Sequence, residues 1–254
     1  MSIDINKEIR EIYKAYFVEL KEKSPELFNR EEFSNIFVTG VLDNWTTATN
    51  RIMIVGEEAA WRETSEWGDD IESEVDNSQD WVIQFLHDQI NPQKYGFKKN
   101  RRSFWERFRK IACELQDASF CYSNIDSINS RISKTGKLEP EDRGKLHALK
   151  DKLLGKVIEK LQPTVVLFCG WSERKEVFEK ELSENVYNAF YKDCDKNKHS
   201  KHKIYVFKEN EICYILSYHP SYSTNRIKGY EEAILETIKK QIKSNIKNYE
   251  NRKN

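Results

Sequence analysis

No apolar stretch among the 254 residues approaches the ~20 needed to span a bilayer. The first residues, Met1-Ser2-Ile3-Asp4-Ile5-Asn6-Lys7-Glu8, hold no signal-peptide apolar core. A cytoplasmic protein is expected, neither secreted nor membrane-bound. The five cysteines (Cys113, Cys121, Cys169, Cys194, Cys213) include no Cys-x-x-Cys pair, so reduced thiols in core or strand positions are expected rather than a metal centre. Gly-x-Gly-x-x-Gly and Gly-x-x-x-x-Gly-Lys are missing too, which argues against dinucleotide cofactors and P-loop chemistry. Net charge is also absent, because 42 Lys+Arg balance 42 Asp+Glu.

That balance conceals segregation. Residues 98–110 carry Lys98, Lys99, Arg101, Arg102, Arg107, Arg109 and Lys110 against Glu106 alone. The tail from Thr237 is basic as well, whereas residues 57–80 hold ten acids and only Arg62 as a base. Such basic patches suit phosphates, or else are simply solvated helix faces.

What is present is an alternation of amphipathic helices with short apolar strands. Residues 4–23 place Ile5, Ile9, Ile12, Tyr16 and Leu20 at helical spacing, ended by Ser24-Pro25. A short helical piece is expected around Glu31–Phe37, and a buried strand at Arg51–Val55. The acidic residues 57–79 are aperiodic and read as a long loop. Helices are expected at Asp80–Ile90, Ser103–Leu115, Glu141–Leu161 and Ser172–Leu182, with a polar turn region at Asn129–Pro140. Strands are expected at Ala118–Ile125, Thr164–Cys169, Lys203–Phe207 and Ile212–Leu216. A last helix runs from about Gly229 to Asn248, and the tail 249–254 should fray. The pattern predicts an α/β protein, a three-layer α/β/α sandwich with a short, mainly parallel central sheet. One domain over 1–254 is expected, with an N-terminal helical extension at about 1–45.

Two strings stand where such strands end, at the edge that binds ligands in open α/β sheets. Gly56-Glu57-Glu58 closes Ile52-Met53-Ile54-Val55, and Ser217-Tyr218-His219-Pro220-Ser221-Tyr222 closes Ile212–Leu216. A carboxylate and an imidazole arriving from two strand ends make an acid/base or charge-stabilising pair. Asn124 ends a third strand, where its amide can read donors and acceptors on a heterocycle or simply form a turn.

In order along the chain, Ile52-Met53-Ile54-Val55-Gly56-Glu57-Glu58, Phe120-Cys121-Tyr122-Ser123-Asn124, Pro163-Thr164-Val165-Val166-Leu167-Phe168-Cys169-Gly170 and His219-Pro220-Ser221 resemble the motifs of the uracil-DNA glycosylase superfamily. Its members show a Gly-Gln-Asp-Pro-Tyr-like string, a strand ending in Asn, a Pro-strand-Gly unit and a His-Pro-Ser string. The likeness spans roughly residues 50–240. It implies that Glu58, in the position of the catalytic Asp, activates water or stabilises the sugar cation, with Glu57 as the reserve carboxylate. It implies that His219 donates to the departing base and that Asn124 reads the base edge. Trp61 or Trp67 would stack on the base, with Trp67 nearer the family's spacing. Gly56 would allow close approach, Ser221 and Tyr222 would bind phosphate, and Arg226, Lys228, Arg101 and Arg102 would contact DNA, single- or double-stranded. Neither metal nor cofactor is implied, and a monomer is expected. The chain departs from the family in lacking a proline after Glu58, in lacking the cysteine cluster of the iron–sulfur branch, and in its acidic stretch, which suggests a pocket for a modified base rather than plain uracil. Two other functions fit the same residues, namely a non-catalytic nucleic-acid-binding protein or a nucleoside hydrolase or transferase.

Overall fold

Strands buried on both faces read as near-continuous apolar runs, and four such runs lie side by side at the centre of this chain. The structure, a computed structural model, describes residues 4–28, 33–56, 70–91, 103–130, 139–149, 152–170, 179–196, 204–220 and 229–253. The four central strands are β3 (Asn50–Gly56), β4 (Ala118–Asn124), β6 (Val165–Cys169) and β8 (Ile212–Ser217). They are parallel and neighbour one another in the order β4-β3-β6-β8. Two short antiparallel strands close the edges, β2 (Gly40–Val41) against β4 and β7 (Tyr205–Glu209) against β8. A separate antiparallel pair joins β1 (Phe33–Ile36) to β5 (Ile128–Ser130).

The period-two alternation of a strand divides these residues between two cores. On one face Met53, Val55, Cys121, Val166, Phe168 and Leu216 pack with residues of α1 (Ile5–Lys23), α5 (Leu153–Leu161) and α6 (Glu184–Lys196). On the other face Ile52, Ile54, Phe120, Tyr122, Leu167 and Ile215 meet α2 (Ile71–Ile90), α3 (Ser103–Glu114) and α7 (Tyr230–Lys253). A short helix, α4 (Pro140–Leu146), adds Leu146 to the first core. The result is a mixed α/β structure with a six-stranded, mostly parallel sheet, compatible with three α/β/α layers. Among the described residues no helix is long and apolar enough to cross a membrane.

Several local expectations are corrected. The segment around Glu31–Phe37 contains a strand, β1, because it finds β5 as a partner across nearly a hundred residues. The acidic stretch is not a loop throughout. Helix α2 begins at Ile71, since the Asp70 side chain accepts from the backbone N–H of Glu72 and Ser73, capping two orphan donors. Glu72 and Glu74 then lie in the first turn, where the helix dipole favours them. Asp76 faces Lys14 at 3.3 Å, and Asp80 accepts from Arg10, so α1 supplies the counter-charge.

The helix expected at Glu141–Leu161 is two helices. His147 ends α4, and the Glu181 carboxylate accepts from Leu154 N–H at 2.9 Å, capping the start of α5. Helix α6 was not foreseen, and α7 spans Tyr230–Lys253, with no glycine or proline after Gly229 to stop it. The turn joining β7 and β8 holds Asn210 at φ 48° and Glu211 at φ 69°, the two positive angles of a type I′ hairpin turn. Of the expected helix Ser172–Leu182, residues 172–178 lie outside the described residues.

Edge strand β2 is protected locally. The Asn6 side chain donates to Val41 C=O and accepts from Val41 N–H, both at 3.1 Å, which occupies ladder groups that would otherwise pair with another chain.

Candidate active site

The chain leaves β3 towards α2 and α3 on one face, and leaves β4 and β6 towards α4, α5 and α6 on the other. Connections from neighbouring parallel strands thus diverge at their carboxyl ends, the place where open α/β sheets bind ligands. Gly56, Asn124 and His219, the described residues of the sequence strings of interest, stand on that edge.

Gly56 and Asn124 are register partners at the ends of β3 and β4. The ladder continues one step further, with Ile125 N–H donating to Gly56 C=O at 2.9 Å. A Cβ at position 56 would stand 2.7 Å from Asn124 Oδ1 and 3.5 Å from both Phe104 and the Tyr122 hydroxyl. Glycine is therefore required here by close approach, not by a strained φ. Tyr122 Oη donates to Asn124 Oδ1 at 2.8 Å, which orients the amide. The Tyr122 ring is itself boxed in by Phe37, Phe104 and Trp105, at centroid distances of 5.0, 5.3 and 4.7 Å. Such edge-on and tilted aromatic pairs hold a ring firmly. The Asn124 amide is thus held in place at the carboxyl end of β4.

Across the sheet, β6 and β8 end in another buried arrangement. Arg107, on α3, is one turn after Phe104, and its side chain is only 2 % exposed. Its Nε and Nη2 donate to the two oxygens of Glu231 at 2.7 and 2.6 Å, a bidentate pair. Its Nη1 donates to Ser217 Oγ at 3.0 Å and to Tyr218 C=O at 2.8 Å, with Cys169 Sγ at 3.6 Å. Ser217 Oγ donates onward to Phe168 C=O at 2.9 Å, and Tyr230 Oη accepts from Tyr218 N–H at 3.1 Å. Burial works against the guanidinium charge, but Cys169 and Glu231 outweigh it and its pKa stands above the usual arginine value. Burial raises the Cys169 thiol despite the opposing pull of Arg107. His219 follows directly on this clamp, half-buried, with Pro220 buried after it.

A third polar cluster lies just past Asn124. Asp126 and Glu181 accept from the two ring nitrogens of His147, at 2.9 and 2.8 Å, and Arg143 donates to Asp126 at 3.3 Å. Burial disfavours the imidazolium, yet the two carboxylates prevail and raise the His147 pKa. The trio is turned inward on itself, and among the described residues no group of three His, Cys, Asp or Glu is arranged to hold a metal ion.

The structure thus brings Gly56 and Asn124 together and sets His219 at the same edge of the sheet, two strands beyond β3. Glu57, Glu58, Trp61, Trp67, Ser221, Tyr222, Arg226, Lys228, Arg101 and Arg102 lie outside the described residues. Lys98 and Lys99 of the basic run also lie outside the described residues, and its described members make contacts within the fold. Arg107 is spent on Glu231, Lys110 pairs with Glu232 at 2.6 Å, and Arg109 donates to Gln89 at 2.6 Å. Lys239 of the basic tail likewise meets Glu114 at 3.0 Å. Sequence reasoning missed Phe104, Tyr122 and Arg107 as neighbours of the site. Phe104 looked like any other apolar residue of an amphipathic helix, and only the path of α3 across the strand ends distinguishes it. Set against known proteins, the sequence matches no family model and no curated protein.

Proposed function

We propose that this chain is a DNA glycosylase of the uracil-DNA glycosylase superfamily, hydrolysing the N-glycosidic bond of an extruded uracil or modified base. The observation that carries the reading is the register of Gly56 with Asn124 at the carboxyl ends of adjacent parallel strands, with the His219 strand in the same sheet and the same direction. Four motifs that are far apart in sequence become four neighbouring strands, and their functional ends share one edge.

Glycosidic cleavage builds positive charge on the sugar and negative charge on the leaving base, as in the oxocarbenium-like transition state of glycoside hydrolysis. In this reading Glu58 stabilises the cation or activates water, with Glu57 in reserve. His219 donates a hydrogen bond to the departing anion, a contribution of about 3–4 kcal/mol for one well-placed donor. Asn124, fixed by Tyr122, reads the edge of the flipped base. Phe104 joins Trp61 and Trp67 as a stacking candidate, such contacts amounting to about 1–3 kcal/mol per base. The end of β4 and the end of β8 are three strand spacings apart, about 14 Å.

The acidic stretch has counter-charges of its own within the fold. Half of its ten acids cap or belong to α2, and three of these, Glu72, Asp76 and Asp80, face Arg10 or Lys14 of α1.

The deciding experiment incubates the full chain with oligonucleotides that each carry one uracil or one modified base, followed by alkali cleavage of abasic sites. The expected result is strand cleavage at one or more of these bases, lost in Glu58→Gln while DNA binding persists. DNA binding with no abasic sites on any substrate would refute catalysis and favour a binding protein. Turnover of free nucleosides without action on DNA would move the chain to a nucleoside hydrolase.

A further inference from the structure

We infer that Arg107, paired with Glu231, is a positioning residue for His219, an inference that rests on the proposed glycosylase reading for its catalytic consequence but not for its geometry. The peptide group is planar, so the carbonyl of Tyr218 lies in one rigid unit with the nitrogen and Cα of His219. Arg107 Nη1 holds that carbonyl at 2.8 Å, while Tyr230 Oη takes the N–H of the same residue at 3.1 Å. The residue before His219 is therefore fixed at both of its backbone polar groups. A third hold comes from Ser217 Oγ, which accepts from Arg107 and donates to Phe168 C=O on β6. The guanidinium fork can make these bonds together because Glu231 occupies its other two donors and neutralises its charge. A lysine has one nitrogen and cannot hold Glu231, Ser217 and Tyr218 with the same planar geometry.

The arrangement also explains why α3 and α7 meet above the strand ends. Phe104 and Arg107 are neighbours on one face of α3; the first lies beside Gly56 and the second touches the start of the His219 segment. One helix thereby sets the spacing between the base-reading amide and the imidazole. A buried charge pair does not by itself stabilise a fold more than apolar residues would, and specificity of geometry is a reason for one to be kept.

The test uses the double variant Arg107→Leu/Glu231→Leu, which removes both charges together and leaves neither stranded, beside Arg107→Lys. Folding is followed by circular dichroism and thermal unfolding. The ring signals of the five histidines are followed by NMR through a pH titration, with His219 assigned by its loss in His219→Asn. The expected result is a folded double variant in which the His219 ring signal and its titration midpoint move while those of His147 do not. Arg107→Lys should move the His219 signal too, since the fork is lost although the charge remains. Where the wild type excises a base, the single-turnover rate should fall about 10–100-fold, the scale for a reacting group displaced by about 1 Å, with DNA affinity retained. His219 signals unchanged in both variants would overturn the inference, as would an unchanged rate in an active enzyme. A wild type inert on every base would sink the proposed function alone, and the ring signals would still decide the positioning.

Discussion

Replacing Gly56 by alanine probes its contact with Asn124 directly. The added methyl would stand 2.7 Å from Asn124 Oδ1, where ordinary contact begins at 3.4 Å, so the amide must retreat by 3.4 − 2.7 = 0.7 Å or the backbone of β3 must shift. Neither is free, because Asn124 is held by Tyr122, whose ring is wedged among Phe37, Phe104 and Trp105. Overpacking of a tight core costs about 1–3 kcal/mol, and loss of the Tyr122–Asn124 bond adds about 0.5–1.5 kcal/mol. Alanine in place of a strand glycine recovers about 0.5–1 kcal/mol of chain entropy. The net expectation is a destabilisation of about 0.5–4 kcal/mol, or roughly 1–16 °C in Tm at about 2–4 °C per kcal/mol for a chain of this size. A displacement of that length also predicts a 10–100-fold loss in excision rate. Gly144, where a Cβ meets nothing within 4 Å inside α4, is the control, and Gly144→Ala should stabilise by about 0.5–1 kcal/mol. Thermal unfolding and single-turnover kinetics measure both. A Gly56→Ala protein as stable as wild type would refute the claim that position 56 is closed against a side chain.

Tyr122→Phe keeps the aromatic box and removes only the hydroxyl that orients Asn124. It should cost about 0.5–1.5 kcal/mol in unfolding free energy and relax discrimination among bases, so equal selectivity across the oligonucleotide panel would count against an orienting role. His147→Gln leaves Asp126 and Glu181 facing each other without their cation, and removing one partner of a buried charge cluster costs about 3–5 kcal/mol. The folded pKa of His147 lies above the ordinary 6.5. Its stabilisation is therefore complete below 6.5 and is lost as pH rises through the raised value. Arg143, Glu181, Asp126 and Tyr16 surround it, and Tyr16 stays protonated over that range because burial and Glu181 hold its pKa well above 10. The difference in Tm between wild type and His147→Gln should narrow as pH is raised from below 6.5, and a constant difference would remove His147 from the pH response.

The four strands and their order along the chain were legible in the sequence, because parallel strands buried on both faces need unbroken apolar runs. Ile52–Val55 and Val165–Cys169 had no other way to be satisfied. The motif ends were legible for the same reason: Gly56, Asn124 and His219 each follow such a run. Short-range pattern failed where a distant partner outweighed local propensity. β1 exists through β5, the α4–α5 break through Glu181, and the first turns of α2 through Asp70 and the bases of α1. Tertiary structure alone decided that Gly56 faces Asn124, that Phe104 and Arg107 lie over the strand ends, and that Arg107 and Lys110 find carboxylates on α7. The contacts of Gly56, Phe104 and Arg107 depend on which strands become neighbours and on the path a helix takes across them, and no periodicity along a chain records the distance between two residues that meet only after it folds.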